Sequence, residues 1–555
     1  MHQLDISVAA NRVIGPALRT QADTVGDDVF LMMDRHRAAA VESGPTEGPA
    51  LRTLTFGQAN QLANSYAAGL RRLGVGPGDR VCVLMANSLE FALVALAANK
   101  IGAVWVPVNT TYRGDWLRDT LTDARARLLV ADEDLFDRVR ALGEPVPVAR
   151  ALRLGLAGPV TDTGVECLPF EVLDTGVTAD PGVAVAPSDI SAVMWTSGTT
   201  GRSKGVLQSH NAWAHGAQVF RTVRQIREGD VLYCCLPMFN SGGWVFNIFH
   251  ALLDGIPLGI DRQFSVQSFW DRCRYYGATQ ITTLGAMHIY LWQASPRADD
   301  RDNPVRCAGF VPIPHELVEP MKERFGLEAV WQGYGQSEAM PATIAYPGRA
   351  WKPNSAGAAR PDLDLTLLDT DDEPVPVGEV GEVCIRPRSP GAIFSGYFNA
   401  PEQTLEAFSN LWYHTGDLAR MDADGELFFV DRKKDVMRHK GRNVASIDVE
   451  KAALGHPGVR EAAAHGVPAA ELVYEDEIKL CVVRADNAAA AALTAERLAE
   501  HIMDNAPYYL VPRYIEFLDQ LPHTPTGRVQ KFLLRERGVT EHTWDRIAAG
   551  FALRR

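Results

Sequence analysis

Apolar residues recur at helical spacing at Leu62, Tyr66, Leu70 and Leu73, and a short continuous apolar run follows at 81–85. A stripe of period 3.6 faces a core, whereas a short apolar run bounded by polar residues suits a buried strand, so the pair predicts a helix and then a strand. The order repeats. Phe91, Val94, Ala95, Ala98 and Ile101 share one helical face and lead into a strand at 104–108, and 128–131 is a third candidate strand. Further strand-like runs lie at 190–195, 231–236, 280–284 and 329–332. Such repeated units predict sheets with helices packed on their faces.

The pattern changes in two places. Residues 155–187 are rich in Gly, Pro, Thr and Asp and predict a surface crossing between two αβ portions. From about 355 to 430, short strands alternate with Gly, Pro and Asp-Gly turns, which predicts a small β-rich subdomain. Beyond it the αβ pattern returns, with an Ala-rich helical stretch at 488–504. The expected class is α/β: a large N-terminal domain over 1–433, made of αβ subdomains plus the β-rich one, and a smaller α+β C-terminal domain over 434–555. No internal repeat is seen.

The chain has 555 residues, 46% hydrophobic and 22% charged, which is ordinary globular composition and excludes a disordered chain. A net charge of −13 argues against a general nucleic-acid binder, whose affinity rests on Lys and Arg neutralising phosphates, so any nucleotide must be held locally. The eight cysteines are scattered in apolar segments without metal-ligand spacing and are expected to be reduced thiols. The N-terminal stretch lacks a basic start followed by an apolar run, and the longest apolar segment, at 91–108, is broken by Asn99 and Lys100. No secretory leader, no membrane span and a cytoplasmic location are therefore expected. Only ten lysines occur, and five of them (Lys204, Lys433, Lys434, Lys440, Lys531) fall in the short motif stretches below.

Thr196-Ser-Gly-Thr-Thr-Gly-Arg-Ser-Lys-Gly205 follows the apolar run at 190–195. Glycines let backbone N–H groups approach phosphate oxygens, the hydroxyls of Thr196, Ser197, Thr199 and Thr200 add donors, and Lys204 supplies charge. The flexible backbone at Gly198 serves the same end. The Walker A loop ends in Gly-Lys-Ser/Thr, and here the order is Ser-Lys-Gly, which disfavours a P-loop ATPase.

With Gln332-Gly-Tyr-Gly-Gln-Ser-Glu-Ala-Met340, Tyr413-His-Thr-Gly-Asp417, Asp431-Arg-Lys-Lys-Asp435 and Pro525-Thr-Gly-Arg-Val-Gln-Lys531 in that order, the chain resembles the adenylate-forming superfamily along nearly its whole length. That superfamily includes the acyl-CoA synthetases, and Val467-Pro468 with Glu475-Asp-Glu-Ile-Lys479 resembles the tail of crotonobetaine/carnitine-CoA ligases. The resemblance implies that a carboxylate attacks the α-phosphate of ATP, pyrophosphate leaves, and the acyl group passes to an acceptor such as CoA. A carboxylate is already ionised near neutral pH, so this first step needs alignment and charge neutralisation rather than a general base.

By the same resemblance Tyr334 flanks the adenine, the Ser337 hydroxyl faces the α-phosphate, and Glu338 holds Mg2+. Asp417 takes both ribose hydroxyls, since an ionised carboxylate accepts at both oxygens, and Arg432 adds a ribose or phosphate contact. Lys434 is the implied hinge of a mobile C-terminal domain; in one orientation Lys531 bridges carboxylate and α-phosphate, in the other Lys440, Gly441, Arg442 and Asn443 line the thiol channel. Several positions depart from the family pattern. Asn240 stands for a frequent histidine, residues 309–312 read Gly-Phe-Val-Pro instead of Gly-Gly-Ala-Pro, Ser446 replaces a common proline and Arg528 a lysine.

Pocket candidates by position are Asn240, Ser241, Trp244, Met287, Phe310, Trp331 and Met340, a mixed aromatic and polar set that points to a compact or aromatic acid. The acceptor is CoA, or else a carrier-protein thiol, an amine, or nitrite activated for arylamine diazotisation. A non-catalytic binding protein on the same scaffold is disfavoured by the retained Thr196, Lys204, Glu338, Asp417 and Lys531. Both monomer and homodimer remain open.

Overall fold

The computed structural model describes residues 1–34, 51–143, 146–196, 204–285, 287–345, 352–433, 435–439, 442–468, 476–506, 508–523 and 528–553. Ser197, Gly198, Thr199, Thr200, Lys434, Lys440 and Gly441 lie outside them, as do 524–527 of the last motif. The chain divides into two compact units. One comprises Met1–Thr196, Ser203–Asp364 and Arg386–Phe408; the other includes Leu365–Ile385 and Ser409–Arg555.

Among the described residues the first unit holds two large sheets. The eight-stranded one runs in the order Lys204–Ser209, Ile190–Thr196, Val104–Pro107, Arg80–Leu84, Leu128–Asp132, Arg150–Leu154, Val165–Pro169, Val160–Asp162. Its interior pairs are parallel, and both end pairs are antiparallel. The helix Leu89–Lys100 is apolar on nearly every side and is buried throughout, as an all-round apolar helix requires, with Ser88 capping it by accepting from the Phe91 N–H at 3.1 Å. Lys100, enclosed with it, meets Asp180 at 3.4 Å.

The segment expected as a bare crossing contains structure. Val160–Asp162 and Val165–Pro169 form a hairpin that extends the sheet, because Val165 and Cys167 alternate into the core across a turn with positive φ at Thr163 and Gly164.

The seven-stranded sheet runs Ala329–Trp331, Cys307–Val311, Gln280–Leu284, Leu232–Cys234, Leu258–Ile260, Val29–Asp34, Leu51–Thr55, with only the last pair antiparallel. A third, small sheet pairs Gly333–Gln336 with Ala339–Ile344 and the latter with Ala358–Ala359.

The second unit carries an antiparallel sheet built on Val380–Pro387, Trp412–Met421 and Leu427–Arg432. It also has a four-stranded sheet in the order Val459–Pro468, Asp476–Arg484, Tyr514–Phe517, Trp544–Asp545. The Ala-rich stretch forms two helices, Ala488–Ala491 and Ala495–Asn505, because Thr494 turns the chain and caps the second by accepting from the Arg497 N–H. All eight cysteines are free and buried. No helix among the described residues is long and apolar enough to cross a membrane.

Candidate functional site

In the first unit, the strand Ile190–Thr196 pairs antiparallel with Lys204–Ser209, so Thr196 and Lys204 stand opposite each other at the two ends of the glycine- and hydroxyl-rich segment. The segment 395–398 lies along the second strand: Leu207 N–H donates to the Gly396 carbonyl at 2.9 Å, and the Phe398 N–H to the Gly205 carbonyl at 2.7 Å. This register brings the Tyr397 ring to 4.6 Å from the Lys204 ammonium, within cation–π range. The Tyr397 hydroxyl donates to Glu338 Oε1 at 2.9 Å, and the Phe394 N–H holds the Glu338 carbonyl at 2.9 Å. Lysine, tyrosine and a buried glutamate thus form one run of polar contacts.

Ser337 joins the same constellation. Its hydroxyl oxygen accepts from the Ser241 hydroxyl at 3.0 Å, and its carbonyl accepts from the Gln208 side-chain amide. Tyr334 occupies the strand before it, its N–H donating to Thr343 Oγ1 at 3.3 Å. Sequence reading singled out Ser337, Glu338, Ser241, Thr196 and Lys204, and the structure gathers them. It missed Tyr397 and Gln208, which come from separate segments and carry no motif signature beyond Tyr397 following a glycine of φ +124°.

The remaining pocket candidates separate into two groups. Trp244 packs in the core, its ring 4.1 Å from Trp105 and 5.4 Å from Phe249, with its indole N–H donating to the Met238 carbonyl at 2.6 Å. This is a structural position, since both the ring faces and the polar handle are already used. Phe310 is likewise core, stacked on His288 at 5.1 Å, and Met287 packs against the same cluster. His288 bonds Thr283 and the Pro312 carbonyl, and burial pushes its pKa down to about 4, keeping it neutral.

Asn240 opens the short helix Ser241–Gly243 and is half-buried; Met340 packs its carbonyl onto Gly216, where a Cβ would lie 2.4 Å away. Trp331 lies against Phe220 at 5.3 Å and Phe246 at 6.0 Å, and its indole fills the space above Gly309, where a Cβ would meet it at 2.2 Å. Trp331 therefore requires a glycine at position 309.

In the second unit, Asp417 sits on a bulge. Glu382 pairs with Leu418 and Cys384 with His414, which leaves Thr415, Gly416 and Asp417 opposite Val383 alone. Thr415 anchors the loop by donating to the Val383 carbonyl at 2.8 Å, and Gly416, at φ +70°, donates its N–H to Glu382 Oε1 at 3.0 Å. Arg432 Nε is 3.7 Å from Asp417 Oδ1 across the strand pair. Glu382 is buried, which would raise its pKa, but Lys433 at 2.8 Å, His414 and the Gly416 N–H outweigh burial and hold it below the usual carboxylate range. Glu382 is a supporting residue that sequence reading missed.

Lys531 begins the helix Lys531–Arg537 and pairs with Glu450 at 2.7 Å while donating to the Ser446 hydroxyl. Ser446 in turn donates both its N–H and its hydroxyl to Asp431 Oδ2 at 2.6 Å. Burial raises the pKa of Glu450 despite Lys531. Ser446, noticed in the sequence only as a departure from proline, is therefore the link between Asp431 and Lys531; a proline would supply neither donor. Lys479 of the tail signature has a different place: it is fully buried against Glu516.

The AMP-binding enzyme family matches residues 32–398, and the AMP-binding enzyme C-terminal domain matches 448–528. The chain is 31% identical over 495 residues to the long-chain-fatty-acid–CoA ligase FadD13 of Mycobacterium tuberculosis, covering 87% of this chain and 93% of that one. It is 29% identical over 506 residues to a feruloyl-CoA synthase of Amycolatopsis sp, covering 90% and 96%. A solved Mycobacterium tuberculosis fatty acyl CoA synthetase superposes with a TM-score of 0.71 at 26% identity, covering 95% of this chain and 98% of the other. These matches along almost the whole chain place the protein in the AMP-binding enzyme family as an AMP-forming acid–thiol ligase of the acyl-CoA synthetase type.

Proposed function

We propose that the protein activates a compact or aromatic carboxylic acid with ATP and transfers the acyl group from AMP to CoA. The observation that supports this reading is the constellation of Lys204, Tyr397, Glu338, Ser337 and Ser241, which gathers one cation and several hydroxyls, a set suited to steadying an anion. The carboxylate attacks the α-phosphorus as pyrophosphate departs. Lys204 and the loop hydroxyls neutralise and orient the polyphosphate, and Ser337, its hydroxyl oriented by Ser241, faces the α-phosphate. Glu338 and its hydroxyl neighbours offer oxygen donors alone, the set a hard cation takes, so Mg2+ carried with ATP would be held by Glu338 and would offset phosphate charge.

Asp417, set by the bulge and by Glu382, takes the ribose hydroxyls, with Arg432 beside it. Tyr334 takes the adenine face. Lys531 supplies the cation for the acyl-phosphate oxygens once it leaves Glu450 and Ser446, with Lys434 as hinge for that exchange and Gly441 serving the thiol channel. The related feruloyl-CoA synthase supports an aromatic acid and the related fatty-acid ligase an aliphatic one. The carnitine-ligase-like tail adds little to the choice, because Lys479 is engaged inside its own sheet. A cytoplasmic location fits the free thiols, and both monomer and homodimer accommodate this chemistry.

The test is pyrophosphate release from a panel of acids with and without CoA, with thioester followed by mass. Pyrophosphate and thioester together are expected, and Lys531→Ala is expected to lower the adenylation rate about 1,000-fold with thermal stability kept. Pyrophosphate with nitrite and an arylamine, and thioester from no acid, would overturn the CoA reading.

A further inference from the structure

Arg224 is completely buried in the first unit, and only one of its nitrogens has a partner: Nη2 donates to Thr282 Oγ1 at 2.6 Å. Nε and Nη1 meet no acceptor among the described residues. The carboxylates nearest in influence are engaged elsewhere. Asp254 pairs with Arg221 at 3.2 Å and lies 2.9 Å from His250, and Asp230 takes Arg306, Gln280 and Thr279. Burial accordingly pushes the Arg224 pKa down to about 10 with no ion pair to restore it. A buried guanidinium with unpaired N–H groups is costly, and native chains seldom leave such groups unused.

Its surroundings connect it to the acid end of the site. The guanidinium lies 5.6 Å from the Phe220 ring and 5.8 Å from the Trp331 ring, and the Trp331 indole N–H is a third buried donor without an acceptor. Thr282, Gly309 and Trp331 are register partners on three adjacent strands, so they form one row across the sheet. Leu284 is two residues farther along the strand, on the same face as Thr282 and about 7 Å away. Gly242 faces Leu284 and Phe246, where a Cβ would lie 3.2 Å from each, and its neighbour Ser241 bonds Ser337. Phe246 completes the path to Phe220 at 5.0 Å. From Ser337 the run of side chains is Ser241, then Phe246 and Leu284 packed against Gly242, then Trp331 and Arg224, which leads inward from the carboxyl ends of the strands, where open α/β sheets bind ligands.

We propose that Arg224 and the Trp331 indole N–H receive a carboxylate at the far end of the acid, so that the substrate is a dicarboxylic acid activated at one end and held at the other. This deepens the adenylation reading and rests on it. One carboxylate supplies two oxygens with several lone-pair sites, enough for one open edge of the guanidinium and the indole N–H, and gives the guanidinium the counter-charge the chain withholds. The aromatic rings of Phe220, Phe246 and Trp331 pack on one another along this run, which leaves room for a short acid only.

The experiment measures kcat/KM for pyrophosphate release by the full-length enzyme with α,ω-dicarboxylic acids of three to eight carbons and with the monocarboxylic acids of equal length. One diacid is expected to exceed its monoacid at least 100-fold. Arg224→Met is expected to lower that diacid at least 100-fold, mostly through KM, and to invert the preference; Arg224→Lys is expected to restore part of it. Trp331→Phe, which removes one donor and keeps the packing, is expected to raise the diacid KM severalfold, and it keeps the test open if Arg224→Met does not fold. Wild-type preference for monoacids, or equal losses for diacid and monoacid in Arg224→Met, would overturn the assignment. Absence of pyrophosphate with every acid would instead overturn the adenylation reading beneath it.

Discussion

Two arginines of the first unit are buried to nearly the same degree and could hardly be treated more differently. Arg272 meets Asp261 through two nitrogens at 2.8 and 2.7 Å, Asp34 through a third at 2.8 Å, and the Tyr276 hydroxyl at 2.9 Å. Burial disfavours its charge, but these partners overcome that and hold its pKa above the ordinary range. Arg224 has the burial and almost none of the partners, and its pKa falls instead. Desolvation is common to both; the difference lies in whether the chain supplies the counter-charge. Where it does, the arginine is a staple between strand ends and helix. Where it does not, the missing acceptor belongs to something the protein binds.

The sharpest way to break this comparison is Arg272→Met, which takes the guanidinium from the buried Asp261 and Asp34 and is expected to cost about 3–5 kcal/mol in denaturant unfolding. A loss near zero would mean that partner count says little about structural role. The buried Lys479–Glu516 pair of the second unit tests the same idea by pH. Burial would raise the pKa of Glu516, but Lys479 and Arg537 bring it down to about 2, against about 4.3 for a free glutamate. A depressed folded-state pKa stabilises above the unfolded value, so this contribution, about 3 kcal/mol at most, is present above pH 4.3 and lost as pH falls toward 2. Unfolding of wild type and Glu516→Gln at pH 5 and pH 2.5 is expected to show the gap between them narrowing at the lower pH. The smallest effect belongs to Arg224→Met: with no ion pair to lose, stability is expected to change by about 1 kcal/mol or less, in contrast to Arg272→Met, and a loss as large as that of Arg272→Met would mark Arg224 as structural.

The same contrast shows why some of the site was legible in the chain and some was not. Thr196, Lys204, Ser337 and Glu338 lie in short motifs that carry the resemblance to the adenylate-forming superfamily, and the strand pattern around them was readable from apolar runs. Tyr397 was not, because its place between Lys204 and Glu338 comes from pairing with a strand some 190 residues earlier. Trp244 carries the composition of a pocket residue, yet Trp105 and Phe249 take its faces and Met238 its N–H, an outcome of packing that no spacing announces. Ser446 looked like a simple departure from proline until its two donors were seen on Asp431 and its oxygen beneath Lys531.

From the residue order alone came the α/β class, and from the resemblance its motifs carry came the adenylation chemistry, since periodicity and local motifs depend on neighbours a few positions apart. The partners of buried charges are settled at longer range. Arg224 and Arg272 are each one arginine among 45, and nothing adjacent to either marks one as satisfied and the other as waiting. That distinction arises when distant strands bring two aspartates to Arg272 and, to Arg224, one threonine and two aromatic faces, because the energy of a buried charge is set by what surrounds it in space.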